Sequence, residues 1–559
     1  MQQLSEQEAA QLLAATIAYF QPLDRTAALS AHKSVNPFGD SSVVDVVTID
    51  AAVRNMALHF LNAQQALFPS DLGGLKTAAH MPVAQEQFLN DLAVLVQQAI
   101  KVHAPTFAGH MTSALPNYVP SLMYLLGALN QNSVKYETSG QFGELERAVI
   151  RFFYVKLFKV NPDDETAWRG CFCSGATIGN LTALWAMRKF WQATQQSQLQ
   201  TGKVYVSELG HYSLYKSLDI LGFNPEQLCT IPLNTRGSID IAALSVQLVE
   251  DAAAGIQPLA LIAIAGATET GTIDALEAIA ALARQYQAWM HVDAAWGGAF
   301  CLSQANGQLL AGIEQADSVV IDAHKQLYVP IGCGMVLFAN SVSAERIRYH
   351  AEYIIRPDST DNGRYTLEGS RPVLCLILHC HLQLLGVRGL GLLLDRQCEL
   401  AAQFAHWLKS QDDFEVTTAP VLNILTYRYV PKETQVLLKR AGSSTISRAV
   451  LTPLFDALDR LTVMLHKRQR HDGASFVSRT QVRSWATSYS IMASDQSINK
   501  GIVDSVERFP KMVVLRVVLA NPLTTLGTLQ NMVKSQRELV ITQAPQQLQQ
   551  VLKLTQQGF

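Results

Sequence analysis

Three short stretches carry side chains whose types and order could do chemistry. The first is DSVVIDAHKQ at residues 317–326, an apolar β-type run that delivers Asp322, Ala323, His324 and Lys325 at its far end. An ammonium at the edge of an apolar core loses hydration, which favours the neutral amine, and such a lysine can form a Schiff base. A lone lysine would more simply snorkel, with its head in water. The second stretch, HVDAAWGG, ends another apolar run on Asp293, followed by Ala294, Ala295, Gly297 and Gly298. Small residues let a flat group approach the backbone. The third, SGAT at 174–177, opens a helical pattern at Ala176 and Thr177. Free N–H groups and the helix dipole at such an end attract an anion, although many helices begin with these residue types as caps alone.

A lysine for an aldehyde, a carboxylate for a ring nitrogen and an anion site for a phosphate are together what pyridoxal 5′-phosphate requires. Asp293 and Lys325 lie about one strand–helix–strand step apart. His211, in SELGHYSLYKS, follows another apolar run and offers an imidazole that could stack on a flat ring. A lone histidine is more often structural, so this assignment needs outside support.

These residues need a frame. Apolar runs at 203–208, 259–266, 289–295, 317–324 and 333–340 alternate with helical stretches such as IDALEAIAALARQYQA. That alternation predicts an α/β fold with a mostly parallel sheet covered on both faces, with ligands beyond the carboxyl ends of its strands. Residues 1–109 read mainly as helices, a helical N-terminal arm that packs on something else; Ser5 and Glu8 have capping-box spacing. After residue 380 a long Leu-rich helix leads to strand runs at 414–418, 423–430, 474–482 and 513–522, a smaller α+β domain. The expected division is 1–109, 110–380 and 381–559.

Bulk composition excludes several classes. The chain has 559 residues, 48% hydrophobic, with formal net charge −2, which offers nucleic acid or an anionic membrane no electrostatic footing. The eight cysteines are scattered and carry no zinc-knuckle spacing, so buried free thiols in a reducing compartment are expected. Polar residues break the longest apolar stretch, and the N-terminus has no basic leader. A cytoplasmic protein is the expectation.

HVDAAWGGAF followed by ADSVVIDAHKQ resembles the group II pyridoxal-phosphate-dependent amino-acid decarboxylases, the family of glutamate decarboxylase and aromatic amino-acid decarboxylase. The likeness runs from about residue 100 to 400. It implies the type I pyridoxal-phosphate transferase fold, similar to aspartate aminotransferase, and a homodimer with the active site at the subunit boundary. By the same resemblance Lys325 is the lysine that binds the cofactor's aldehyde, Asp293 the partner of the ring nitrogen and His211 the ring-stacking histidine. Ala176 and Thr177 match the phosphate turn, Ala295 is the second alanine of the Asp-Ala-Ala motif, and His324 matches the histidine before the lysine. In AIAGATETGTID, Thr268 matches the family's second threonine and Asp274 a later aspartate, while Ala267 replaces the first threonine. Tyr353 falls in the family's catalytic loop as the expected proton donor, with Tyr365 as competitor.

For the substrate, Arg371 in LEGSRP stands where relatives place an arginine near the active site, and could meet a carboxylate. His110, Thr112 and Ser113 in FAGHMTSALPN could hydrogen-bond a short acidic substrate; ordinary loop chemistry is as good a reading. The chain looks most like bacterial members acting on aspartate or glutamate. L-aspartate to β-alanine is the first expectation, and L-glutamate to 4-aminobutyrate the second. Aromatic decarboxylation, or a catalytically silent relative, are the rivals.

Overall fold

The computed structural model describes residues 4–21, 100–161, 169–351, 355–356, 359, 361–441, 448–483 and 511–557. Its larger sheet holds β1 (Arg169–Cys173), β2 (Lys203–Ser207), β3 (Leu228–Ile231), β4 (Pro258–Ile264), β5 (Trp289–Asp293), β6 (Ser318–Ile321) and β7 (Gly334–Phe338). The spatial order is β1-β7-β6-β5-β4-β2-β3. All five runs expected as strands in this region form strands. Strands β2 to β6 pair in parallel, whereas β7 runs antiparallel to β6 and β1. The link from β6 to β7 contains turns and no helix, so it cannot make the crossover that a parallel neighbour needs. The expectation did not include β1 or β3. RGCFC lacks β-branched residues, and LCTI is a four-residue edge strand that is only partly buried.

Helices used below are numbered in chain order: α1 (Glu6–Ala18), α2 (Gln141–Phe158), α3 (Ala176–Thr194), α4 (Tyr212–Ile220), α5 (Cys375–Leu384), α6 (Gly386–Lys409), α7 (Arg448–Asp472) and α8 (Leu526–Gln543). The capping box at Ser5 and Glu8 forms and starts α1. The end of α1 docks on its own chain: Tyr19 O accepts from Asn117 N at 2.7 Å, and the Phe20 ring meets Tyr328 edge-on at 4.8 Å. The Leu-rich stretch, expected as one long helix, is two helices, α5 and α6, meeting at 90°. The break falls at Gly386, whose φ of +70° leaves the helical region. Among the described residues no single helix is long and apolar enough to cross a membrane.

The second sheet holds β8 (Phe414–Thr418), β9 (Ile424–Tyr429), β10 (Ser478–Arg483) and β11 (Lys511–Val518), antiparallel in the order β10-β11-β9-β8. It has its own core, in which Leu515 and Val517 meet Phe404 of α6, Leu458 of α7 and Val533 of α8. The chain crosses to this sheet near residue 108: Ala108 N donates to Phe476 O and Val518 N to Ala108 O, both at 2.8 Å. That tie brings the 107–117 segment to the seam between the sheets.

Candidate active site

Strands β4, β5 and β6 are neighbours and parallel, so the residues just past their carboxyl ends converge. They wall a cavity of about 300 Å³. Ala176, Thr177, His211, Thr268, Asp293, Ala295, His324 and Lys325 all line it. Eight residues spread over 150 positions thus share one wall, because the sheet brings its strand ends and the start of α3 together.

Asp293 is the last residue of β5 and is 5% exposed. Its Oδ2 accepts from Asn180 Nδ2 at 2.9 Å and its Oδ1 from Ala295 N at 3.2 Å. Asn180 Oδ1 accepts from His291 Nε2 at 3.0 Å, and His291 Nδ1 lies 2.9 Å from Ser318 Oγ. Burial pushes His291 down to about 4, so the ring is neutral. Among the described residues no lysine or arginine pairs with Asp293. A buried carboxylate of this kind, facing a cavity, suits a cationic ring nitrogen.

Lys325 sits in the turn after β6, one element further than the strand tip that the sequence suggested. Its Nζ lies 3.0 Å from Asp322 Oδ2. The turn is fastened to the second sheet, since Gln326 Nε2 and Trp296 Nε1 both donate to Asn423 Oδ1 at 3.0 Å. His324 Nδ1 donates to Cys333 O at 2.8 Å, which leaves Nε2 toward Asp322 at 3.7 Å.

His211 is the N-cap of α4: its Nδ1 accepts from Ser213 N at 3.3 Å. Burial lowers its pKa, against the opposing pull of Asp293, so the ring is an uncharged flat face. At the start of α3, Asp322 Oδ1 already takes the Ala176 N–H at 2.7 Å and Glu368 Oε2 takes the Ser174 N–H at 2.8 Å. Thr177 remains exposed at the cavity wall. Amine, unpaired carboxylate, neutral imidazole and helix terminus around one space fit pyridoxal 5′-phosphate.

Several expectations need correction. Arg371 does not face the cavity. Its Nη2 lies 3.0 Å from Glu146 Oε1 on α2, Nη1 donates to Phe172 O at 2.9 Å, and both side chains of the pair are buried. A guanidinium so engaged is a structural brace, because a substrate carboxylate would have to displace Glu146. Tyr365 lines a different cavity and donates to Glu345, so it is no competitor as proton donor. Tyr353 lies outside the described residues. His110 and Thr112 bond each other at 3.1 Å and stand off the cavity wall. The His110 pKa is lowered by burial and then by the charges of Arg516, Lys325 and His324. Gly297 and Gly298 admit protein, not ligand: a Cβ on Gly297 would stand 2.4 Å from Ala265 O and one on Gly298 2.6 Å from Ile321. Asp274 accepts from Ile239 N and Ile264 N, at 2.7 and 2.8 Å, and braces the end of β4.

Four residues, at the cavity or beyond its wall, were given no role by the sequence. Asp322 and Asn180 are first, and Asn180 could have been noticed as a lone amide in an apolar helix. Arg516 and Glu269 are the others. Arg516 shares a β11 face with Val514 and Val518, and Val518 packs into the core of the larger sheet. Its Nε is buried without a hydrogen-bond partner, as is Glu269 Oε2. A single cation inside VVLRVVL is the signal that marks it.

The pyridoxal-dependent decarboxylase conserved domain matches residues 74–430. An aspartate 1-decarboxylase of Aliivibrio fischeri is 39% identical over 471 residues, spanning 80% of this chain and 82% of that protein. An aromatic-L-amino-acid decarboxylase of Bacillus atrophaeus is 32% identical over 322 residues, 56% of this chain and 62% of its own. The crystal structure of mouse CSAD superimposes with a TM-score of 0.69 at 21% identity, over 88% of this chain and 98% of that one. The chain therefore belongs to the pyridoxal-dependent decarboxylase family, and it is an amino-acid decarboxylase that uses pyridoxal 5′-phosphate on the type I transferase fold.

Proposed function

We propose that this enzyme removes the α-carboxylate of L-aspartate to give β-alanine. The observation that carries the substrate choice is the 39% identity, over four-fifths of the chain, to a protein named aspartate 1-decarboxylase. The Arg516 cation at the seam supports an acidic substrate. L-glutamate is the alternative.

In this reading Lys325 would hold the cofactor between turnovers, Asp293 would keep a proton on its ring nitrogen, and His211 would lie against its ring. Thr177 and the start of α3 receive the phosphate, with Thr268, Ala295 and His324 completing the wall. The bound cofactor supplies an electron sink for the pair left behind when carbon dioxide departs. Arg516 would hold a substrate carboxylate and so orient the substrate. Tyr353 would return a proton to the α-carbon. The same reading divides the chain into a helical arm (1–109), a cofactor-binding domain (110–380) and a small domain (381–559). It makes the protein a cytoplasmic homodimer, and eight free cysteines suit a reducing compartment.

The test is carbon dioxide release by the cofactor-loaded enzyme from aspartate, glutamate, 2,4-diaminobutyrate, cysteine sulfinate and aromatic amino acids. Aspartate should give the highest kcat/KM, with β-alanine as product. A preference for any other member of the panel refutes the choice, and no release from any would favour a silent relative.

A further inference from the structure

Asp322 is not an idle neighbour of the reactive lysine. It is 3% exposed, and both of its carboxylate oxygens are committed inside the cavity. Oδ1 accepts the Ala176 N–H at 2.7 Å, at the start of α3; Oδ2 lies 3.0 Å from Lys325 Nζ and 3.7 Å from His324 Nε2. A glycine makes room for it: a Cβ on Gly334 of β7 would stand 2.7 Å from Asp322 Oδ1. The carboxylate therefore ties together the two groups that the cofactor must claim, an amine for its aldehyde and a helix terminus for its phosphate.

We infer that Asp322 is a positioning residue for cofactor loading: its carboxylate holds the Lys325 ammonium against the N-terminus of α3 until pyridoxal 5′-phosphate takes both. The inference rests on Lys325 being the attachment residue. Covalent attachment requires Nζ to lose a proton to solvent, so that its lone pair can attack the aldehyde carbon. A C=N bond then forms, and the aldehyde oxygen leaves as water with the two remaining protons of the amine. The charge that Asp322 held is gone, and its nearest remaining basic group is His324. Loading thus trades one ion pair for a covalent bond. Asp322 keeps the amine aimed at the cavity, and the amine keeps the buried acid compensated, while the protein is cofactor-free. The other titratable groups facing Lys325 are Asp293 on β5, His211 before α4, His324 on the same turn and His110 from the crossing segment. All of these stay in place when only position 322 is changed.

The experiment follows attachment of pyridoxal 5′-phosphate to the cofactor-free full chain, by absorbance and by borohydride trapping with peptide mapping, across neutral to alkaline pH. Asp322→Asn keeps an oxygen for the Ala176 N–H and removes only the charge. It should attach the cofactor about tenfold more slowly at every pH, because the amine is no longer held toward the cavity. Asp322→Glu should keep the wild-type profile. If Asp322→Asn attaches the cofactor as fast as the wild type or faster, the inference fails. Should that variant not fold, Lys325→Ala supplies a second reading: without cofactor its melting temperature should fall below that of the wild type, because the buried acid has lost its cation. An unchanged value overturns the inference. Trapping in the wild type separates the two ideas, since a tag on a residue other than Lys325 defeats the site assignment itself.

Discussion

Asn180 Nδ2 donates to Asp293 Oδ2 at 2.9 Å, so a side chain on α3 sets the orientation of the acid that ends β5. Behind it, His291 Nε2 donates to Asn180 Oδ1, which fixes which end of the amide faces Asp293. Asn180→Ala would leave that carboxylate with the Ala295 N–H as its remaining donor. A hydrogen bond to a charged group contributes about 1.5–3 kcal/mol, so cofactor affinity should fall roughly 10- to 100-fold. Titration of the cofactor-free variant with pyridoxal 5′-phosphate measures this, and affinity within twofold of wild type would show that Asp293 needs no such support.

Arg371 and Glu146 form a buried pair away from the cavity. Removing one partner of such a pair costs about 3–5 kcal/mol, because the other charge is stranded. Arg371→Leu should therefore lower the urea midpoint markedly while leaving KM unchanged in whatever protein remains folded. The double change Arg371→Leu with Glu146→Leu should recover part of the loss. A raised KM with normal stability would return Arg371 to the substrate site.

Arg516 gives the opposite pattern. Arg516→Gln removes the cation at the seam, whose electrostatic neighbour is the buried Glu269 carboxylate. KM for aspartate should rise about 10- to 100-fold, the worth of a charge-assisted bond, with cofactor attachment unaltered. Steady-state kinetics beside cofactor titration separates the two quantities.

Acid should unfold the protein in a defined window. His291 and His381 are fully buried, and burial pushes each down to about 4. His381 is held by the Tyr118 hydroxyl at 2.8 Å and the Tyr328 carbonyl at 3.0 Å. In the unfolded chain a histidine titrates near pH ~6.5, so the unfolded state binds these protons more readily than the folded one. The stability they contribute is complete above about pH 6.5 and drains as the pH falls toward 4, at up to about 1.4 kcal/mol per unit for each ring. Melting temperatures at about pH 7.5 and about pH 4.5 should differ clearly, and His381→Gln should narrow the gap. An equal gap in that variant would assign the acid sensitivity to other groups.

Much of this was legible in the residues themselves. The apolar runs ending on Asp293 and leading to Lys325 announced parallel strands, because a strand buried on both faces must be continuously apolar. The His-Lys pair, the Asp-Ala-Ala motif and their separation pointed to the cofactor, since its aldehyde and ring nitrogen demand those two chemistries. Burial and partner choice were not legible, because they depend on residues far away in the chain. Arg371 has the same composition-level promise as Arg516, yet folding sets one against Glu146 and leaves the other at the seam with its Nε unpaired. The two glycines after Asp293 suggest space for a ligand, but the space is filled by Ala265 and Ile321. Local sequence determined the strands, the turn chemistry and the reactive groups, which depend on neighbours along the chain. Only the tertiary structure decided which charges were already neutralised, because a counter-charge acts through space and can stand anywhere in sequence.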